Sequence, residues 1–174
     1  FFLFVKYDYA YFVDQFVQNH YDGFVNDYYP LLKDENGDVR YNPLIYSCEK
    51  ENYDMVEALL KSKYIDVNML SRTSSGVQKT ALCISIEKNN IKIIKKLIEK
   101  KDTDVNISSI QKYESDDYIK ELNFSPLLIA LKKGNIEIIK LLLKQSYIDV
   151  NFDNTLKYIE KIKNQQRIIK NKKI

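Results

Sequence analysis

The feature that most limits what this chain can fold into is a fixed distance. Three short openers, Asn42-Pro43-Leu44, Thr80-Ala81-Leu82 and Ser125-Pro126-Leu127, are each followed by the same closing tripeptide, at Asp66-Val67-Asn68, Asp104-Val105-Asn106 and Asp149-Val150-Asn151. From the first residue of the opener to the Asp the offset is 24 positions every time, whereas the openers start 38 and then 45 positions apart. A body of constant length joined by spacers of variable length is the pattern of a stacked repeat that carries its insertions on one face.

The body reads as two helices. In the third copy, Ser125 can cap a helix that has Pro126 in its first turn and continues through Leu127, Leu128, Ile129, Ala130 and Leu131. Gly134 ends it, because glycine tolerates a positive φ. Asn135 then caps a second helix with a wide apolar face, Ile136, Ile138, Ile139, Leu141, Leu142 and Leu143. The first copy predicts helices over about 43–50 and 53–61, the latter with a Met55, Val56, Leu59 and Leu60 stripe. The second places Ile91, Ile93, Ile94, Leu97 and Ile98 inward and Lys92, Lys95, Lys96, Glu99, Lys100 and Lys101 outward. Asn89 and Glu51 occupy the Gly134 position. Asn tolerates it; Glu does not favour it, so a strained or differently shaped junction is expected at Glu51. A helix pair of this size cannot bury its own apolar surface, so it requires copies on either side.

Turn, two antiparallel helices and a Thr-Pro-Leu-like opener resemble the ankyrin repeat, specifically over residues 42–151. The resemblance implies an all-α solenoid of stacked helix-turn-helix units with hairpin-like loops: three units (42–68, 80–106, 125–151) within 42–153, a degenerate unit and first finger in 1–41, and a capping helix or truncated unit in 154–174. The histidine of the family's opener is replaced by Ile45, Cys83 and Leu128, exchanging a hydrogen bond between units for apolar contact. One extra residue precedes each Asp-Val-Asn.

Outside the regular units the reading is coarser. Tyr11, Phe12, Val13, Phe16 and Val17 look like the second helix of an earlier unit, with Phe24-Val25-Asn26 standing in for Asp-Val-Asn, and the aromatic cluster is expected to seal that end of the stack. Asn36-Gly37 signals a hairpin tip, and Ser75-Gly76 another. The longest connection, 107–124, suggests a helical turn capped by Ser115. The segment 154–174 is strongly basic, with Lys157, Lys161, Lys163, Arg167, Lys170, Lys172 and Lys173 against Glu160 alone. The opening FFLFV has no basic segment ahead of it and reads as an excerpt of a longer protein rather than a signal peptide.

Several function classes are disfavoured. The chain lacks a Gly-x-Gly-x-x-Gly loop, a P-loop and a Gly-x-Ser-x-Gly elbow, and its single histidine, His20, has no recognisable catalytic companions; no enzymatic activity, cofactor or small-molecule substrate is expected. Two cysteines, Cys48 and Cys83, both on first helices, read as small buried apolar residues in a reducing compartment, so no disulfide or metal site is expected and the cytoplasm is the expected location. No run approaches the roughly 20 apolar residues of a membrane span. A net charge of +3 is too small to argue for nucleic acid.

What remains is a binding scaffold. In the family resembled, partners meet the finger tips and the concave face lined by the first helices. Carried to this chain, those positions are Glu49, Lys50, Glu87, Lys88, Lys132 and Lys133, with Arg72, Tyr113 and Tyr118 on the fingers. The face is mixed over the first two units and basic on the third, which suits a protein partner with an acidic feature at one end. Two alternatives stand beside this: polyanion or nucleic-acid contact through the basic C-terminal segment, and a structural spacer within a longer repeat array.

Overall fold

The computed structural model describes residues 1–19, 23–29, 39–73, 77–115 and 118–150. His20, the Asn36-Gly37 and Ser75-Gly76 tips and the segment 154–174 lie outside the described residues. Eight helices occur in the described part: α1 (Phe2–Lys6), α2 (Ala10–Gln18), α3 (Pro43–Glu49), α4 (Tyr53–Leu60), α5 (Ala81–Glu87), α6 (Ile91–Glu99), α7 (Pro126–Lys133) and α8 (Ile136–Leu143). They form four antiparallel pairs. The first helices α1, α3, α5 and α7 pack in one row and the second helices α2, α4, α6 and α8 in another. This is the all-α solenoid that the repeat spacing predicts.

The openers work as helix starts for a common reason. The side-chain oxygens of Asn42, Thr80 and Ser125 accept hydrogen bonds from the N–H groups of Ile45, Cys83 and Leu128, at 2.8, 3.2 and 3.2 Å. Each satisfies an N–H with no partner within its helix. Ile45, Cys83 and Leu128, at the position of the missing histidine, are all at least 98% buried. Val13, Ile45, Cys48, Met55, Leu59, Ile86, Ile94, Leu97 and Ile138 belong to the buried set that runs through the stack. That core is shared between successive pairs.

Two asparagine ladders tie the pairs together. In the first, Asn26, Asn68 and Asn106 each reach into the return turn of the following pair. Asn68 Nδ2 donates to the Asp102 carbonyl at 2.8 Å, and its Oδ1 accepts from the Asp104 N–H at 2.8 Å. Asn26 does the same to Tyr64 and Asp66, and Asn106 to Tyr147 and Asp149. The Asp of the tripeptide fixes the turn by accepting from the N–H two residues on, at 2.9 Å for Asp66 and 2.8 Å for Asp104, an Asx turn. In the first three turns the Val is a buried plug, with Val25, Val67 and Val105 at most 4% exposed, whereas Val150 of the last is 41% exposed. Thus Phe24-Val25-Asn26 acts as the tripeptide does, apart from the aspartate.

The second ladder joins helix junctions. Asp8, Glu51, Asn89 and Gly134 all adopt left-handed backbone, with φ of 64°, 56°, 62° and 68°. Glu51 therefore has the same junction shape as the others, not a different one. Each of the next three second-helix caps, Asn52, Asn90 and Asn135, uses its Oδ1 to cap its own helix. Its Nδ2 donates back to the residue at the preceding left-handed position: Asn52 to Asp8, Asn90 to Glu51 at 3.3 Å, and Asn135 to Asn89 at 2.5 Å. A carboxylate or carboxamide at this position accepts that bond, which offsets the roughly 1–2 kcal/mol cost of left-handed backbone. Gly134 has no side chain to offer.

Three further differences from the sequence reading have physical causes. The 107–124 connection contains no helical turn at Ser115. It is an antiparallel hairpin, β3 (Ser109–Ser115) and β4 (Tyr118–Phe124), with register from Ser109 opposite Phe124 to Ser115 opposite Tyr118. The strands are rich in Ile, Tyr and Phe, which favour extended backbone, and pairing satisfies backbone groups that one helical turn would leave open. Lys100 is not simply solvated: its Nζ donates to the Leu60 and Ser62 carbonyls at 2.9 Å each, placing a cation at the end of α4. In α8 the predicted apolar face is only partly used, with Ile138 and Leu142 buried but Ile136 66% and Leu143 50% exposed. The N-terminal rings do contact one another, Phe4 stacking on Phe12 at 5.3 Å. Yet Tyr11 and Phe12 stay 70% and 47% exposed, so the cluster leaves aromatic surface open rather than sealing it.

Two measurements check the ladders. A Cβ at Gly134 would meet nothing within 4 Å, so Gly134→Ala should cost about 1 kcal/mol in urea unfolding through backbone strain alone, and Gly134→Asn less. Asn90→Ser and Asn90→Asp both keep a cap, but only the second sets a carboxylate against Glu51. At neutral pH the Asp variant should be the less stable in urea unfolding, and the gap should narrow as added salt screens the two carboxylates.

Candidate functional site

The fingers pair sideways with one another. Strand β1 (Val39–Arg40) runs antiparallel to β2 (Arg72–Thr73), with Arg40 opposite Arg72. The Ser71 N–H donates to the Lys79 carbonyl at 2.8 Å, and Leu70 bridges Thr80. Gln78 and Ile110 exchange both backbone hydrogen bonds at 2.8 Å, so the second finger is tied to β3. The result is a ribbon of extended backbone that borders the ends of the first helices.

Most of the expected site residues sit on that border. Glu49 lies at the end of α3, and Lys88 follows α5; they form an ion pair across successive tiers at 2.6 Å. The Lys88 ammonium is held above the usual lysine range chiefly by its hydrogen bond to Glu49. Glu87 pairs with Lys79 at the base of the second finger, also at 2.6 Å. The mixed charge of the first two repeats is therefore largely matched within the protein. Lys132 and Lys133 close α7. Lys132 Nζ lies 3.8 Å from the centroid of the Phe124 ring, a cation–π contact. Partial burial holds its pKa below the ordinary lysine value.

Glu87, Lys132 and Lys133 line one hollow of about 610 Å³ with Lys79, Val77, Ser109, Ile110, Phe124 and Ile129. Its size falls in the usual range for ligand sites. Lys50 is not in it. That side chain borders a separate hollow of about 530 Å³ with Tyr46, Asp8, Glu51 and Lys92, and its ammonium lies 5.8 Å from the centroid of the Tyr46 ring. Arg72 is in β2, Tyr113 in β3 opposite Lys120, and Tyr118 in β4 opposite Ser115. The structure thus gathers three of the nine expected residues into one hollow and distributes the rest along the ribbon and helix ends.

Sequence reasoning missed Lys79, Val77, Ile110 and Phe124, because it looked for contacts at the finger tips and the ends of the first helices and not at the bases of the fingers. The signal available was Phe124 immediately before the Ser125 cap. A residue at that place must lie between the hairpin and α7.

Behind this face, Cys48 and Cys83 are fully buried. Burial raises their pKa values to about 12 and about 11. Cys83 Sγ lies 3.5 Å from the Ile107 carbonyl and donates to it. Thiolate is the reactive form, so at pH 8 a thiol reagent such as dithiobis(nitrobenzoate) should label neither cysteine on mixing with native protein and should label both within seconds in denaturant. Rapid native labelling of either thiol would contradict this packing.

Among the described residues, no helix is long and apolar enough to cross a membrane. No curated protein matches the chain. A family model for ankyrin repeats, in three copies, matches residues 2–109, and a single ankyrin repeat matches residues 122–155. Ankyrin repeats generally serve as protein–protein interaction modules, and proteins built from them are typically non-catalytic. With more than half of its length matched and four stacked helix pairs in the described part, the chain belongs to the ankyrin repeat family.

Proposed function

We propose that this protein is a non-catalytic interaction module that binds a protein partner through its finger ribbon and the concave face of its first helices. The observation that carries the reading is the uneven charge of that face. Glu49–Lys88 and Lys79–Glu87 form matched pairs over the first repeats, whereas Lys132 and Lys133 add two cations beside an apolar hollow. A partner with an acidic feature gains orientation and association rate from such an arrangement. In this reading Glu49, Lys50, Arg72, Glu87, Lys88, Tyr113, Tyr118, Lys132 and Lys133 form the contact set. In the same reading residues 42–153 hold the three ankyrin-like repeats, 1–41 a degenerate N-terminal unit and first finger, and 154–174 a capping helix or a truncated repeat. The cytoplasm is the proposed setting.

Affinity capture from the protein's own cells tests it. Lys132→Glu/Lys133→Glu should lose the specific partner, while Lys101→Glu/Lys140→Glu, an equal charge change on exposed residues away from this face, should retain it. Equal retention by both double variants would remove the basic third-repeat face from the function.

A further inference from the structure

The outer side of the first helix pair is aromatic and uncovered. Val5 on α1 and Val13 and Val17 on α2 are buried, on the side where α1 meets α3 and α2 meets α4. At about 100° per residue, Leu3 and Tyr7 fall on the far side of α1 from Val5, and Tyr11 on the far side of α2 from Val13. Leu3, Tyr7, Tyr9, Tyr11 and Phe12 are between 47% and 70% exposed. Phe12 is the hub of this surface. It stacks on Phe4 and meets Tyr9 and Tyr11 edge-on, with centroids 6.1 and 5.6 Å away. Phe4 leans in turn on Phe16, which meets Phe1. Rings that hold one another in place lose little further freedom on docking. The two acids within residues 1–19, Asp8 and Asp14, are tied to the second pair through Asn52 and Lys61. The asparagine ladder shows how a repeat would meet its predecessor. Asn52, Asn90 and Asn135 each donate to the pair before, whereas Tyr9, at the same position, makes no side-chain cap. The rung that would tie this pair to a preceding repeat is missing. Four rings and a leucine, about half exposed, offer roughly 500 Å² in one copy. Two such faces together would bury roughly 1,000 Å², about the least that a specific interface needs.

We infer that two copies of this protein associate through the outer face of α1 and α2, about a two-fold axis that sets Leu3, Tyr7, Tyr9, Tyr11 and Phe12 of one copy against the same residues of the other. A two-fold uses one patch twice and closes at two copies, where a head-to-tail contact would grow into a filament. Burial of aromatic carbon drives the association, so added salt has little to screen. The face lies at the end of the stack, away from the third repeat. Each copy therefore keeps its finger ribbon and the hollow beside α7 open, and the pair presents two such surfaces to a partner with two matching segments. The inference stands apart from the choice of partner-binding residues above.

Sedimentation equilibrium of the full chain, from about 1 to about 200 µM, tests it over the affinity range that so small an interface supports. The mass should rise from that of one copy to that of two and stop there. Leu3→Glu/Tyr11→Glu should weaken the dimer at least tenfold. Ile136→Glu/Leu143→Glu, which sets the same charges on the exposed residues of α8 at the other end of the stack, should leave it unchanged. Raising salt from 50 to 500 mM should not weaken it as much as tenfold. Benzoylphenylalanine in place of Tyr11 should crosslink to residues within 1–16 of the other copy, read in a mixture of normal and heavy-isotope chains. That crosslink decides the matter if a glutamate variant loses its helical circular dichroism. A single-copy mass across the whole range would overturn the inference. So would a dimer that survives Leu3→Glu/Tyr11→Glu in folded protein, one that dissolves with Ile136→Glu/Leu143→Glu, a mass that keeps growing past two copies, or crosslinks to α8. Capture of a partner that depends on Lys132 and Lys133 is read separately, so either idea can fail while the other stands.

Discussion

Two helices of five to nine residues, packed side by side, cannot bury their own apolar surface, and this deficit governs the whole structure. Leu59, Ile94 and Ile138, on α4, α6 and α8, are buried where each pair packs on its partner helix and its neighbouring pair. Stability in such an array lies in the seams between repeats as much as in the repeats themselves. The seams must also be held in register, and apolar contact alone is not directional. Here the register comes from carboxamides. An asparagine side chain carries a donor and an acceptor on one rigid plane. Asn68 spends both on the following return turn. Asn90 spends one on its own helix and the other on the preceding junction.

The departures from the family's common pattern make sense in these terms. Where a histidine would hydrogen-bond between units, Ile45 and Leu128 add buried carbon instead, and Cys83 keeps only a long Sγ bond to the Ile107 carbonyl. The polar ties are carried by the two ladders at the rim, where geometry is set by short turns. Glu51 and Asp8 at left-handed positions look like poor choices by backbone preference, yet each accepts the next pair's cap asparagine. Local strain is exchanged for a tie between repeats. Gly134 makes the opposite choice, with an unstrained junction and no acceptor.

The same division explains where binding capacity resides. Over the first two repeats the face sets acid against base, with Glu49–Lys88 paired between tiers and Lys79–Glu87 paired within one. The insertion before the third opener breaks this economy. By forming a hairpin rather than a helical turn it brings Phe124 and Ile110 beside Lys132, and so creates an apolar hollow with a cationic edge. The regular repeat is scaffold, and the irregular connection gives the face its chemistry.

Much of the fold was legible because short-range rules dictate it. The caps Asn42, Thr80 and Ser125, the stop at Gly134, the second-helix caps at Asn52, Asn90 and Asn135 and the 24-residue spacing are local chemistry, and together they determine a helix-pair repeat. Which residues tie one repeat to the next was not legible. Asn26 and Tyr64, or Glu51 and Asn90, lie about 40 positions apart, and nothing in either neighbourhood names its partner. The hairpin was misread for a related reason: a serine followed directly by two aspartates is compatible with a helical cap, and only pairing between β3 and β4, with Gln78 anchoring Ile110, decides for extended backbone. The sequence by itself determined the repeat and its ends. The tertiary structure decided the seams, the ribbon and the hollow, because these depend on backbone and side-chain groups brought together only when one repeat is laid against the next.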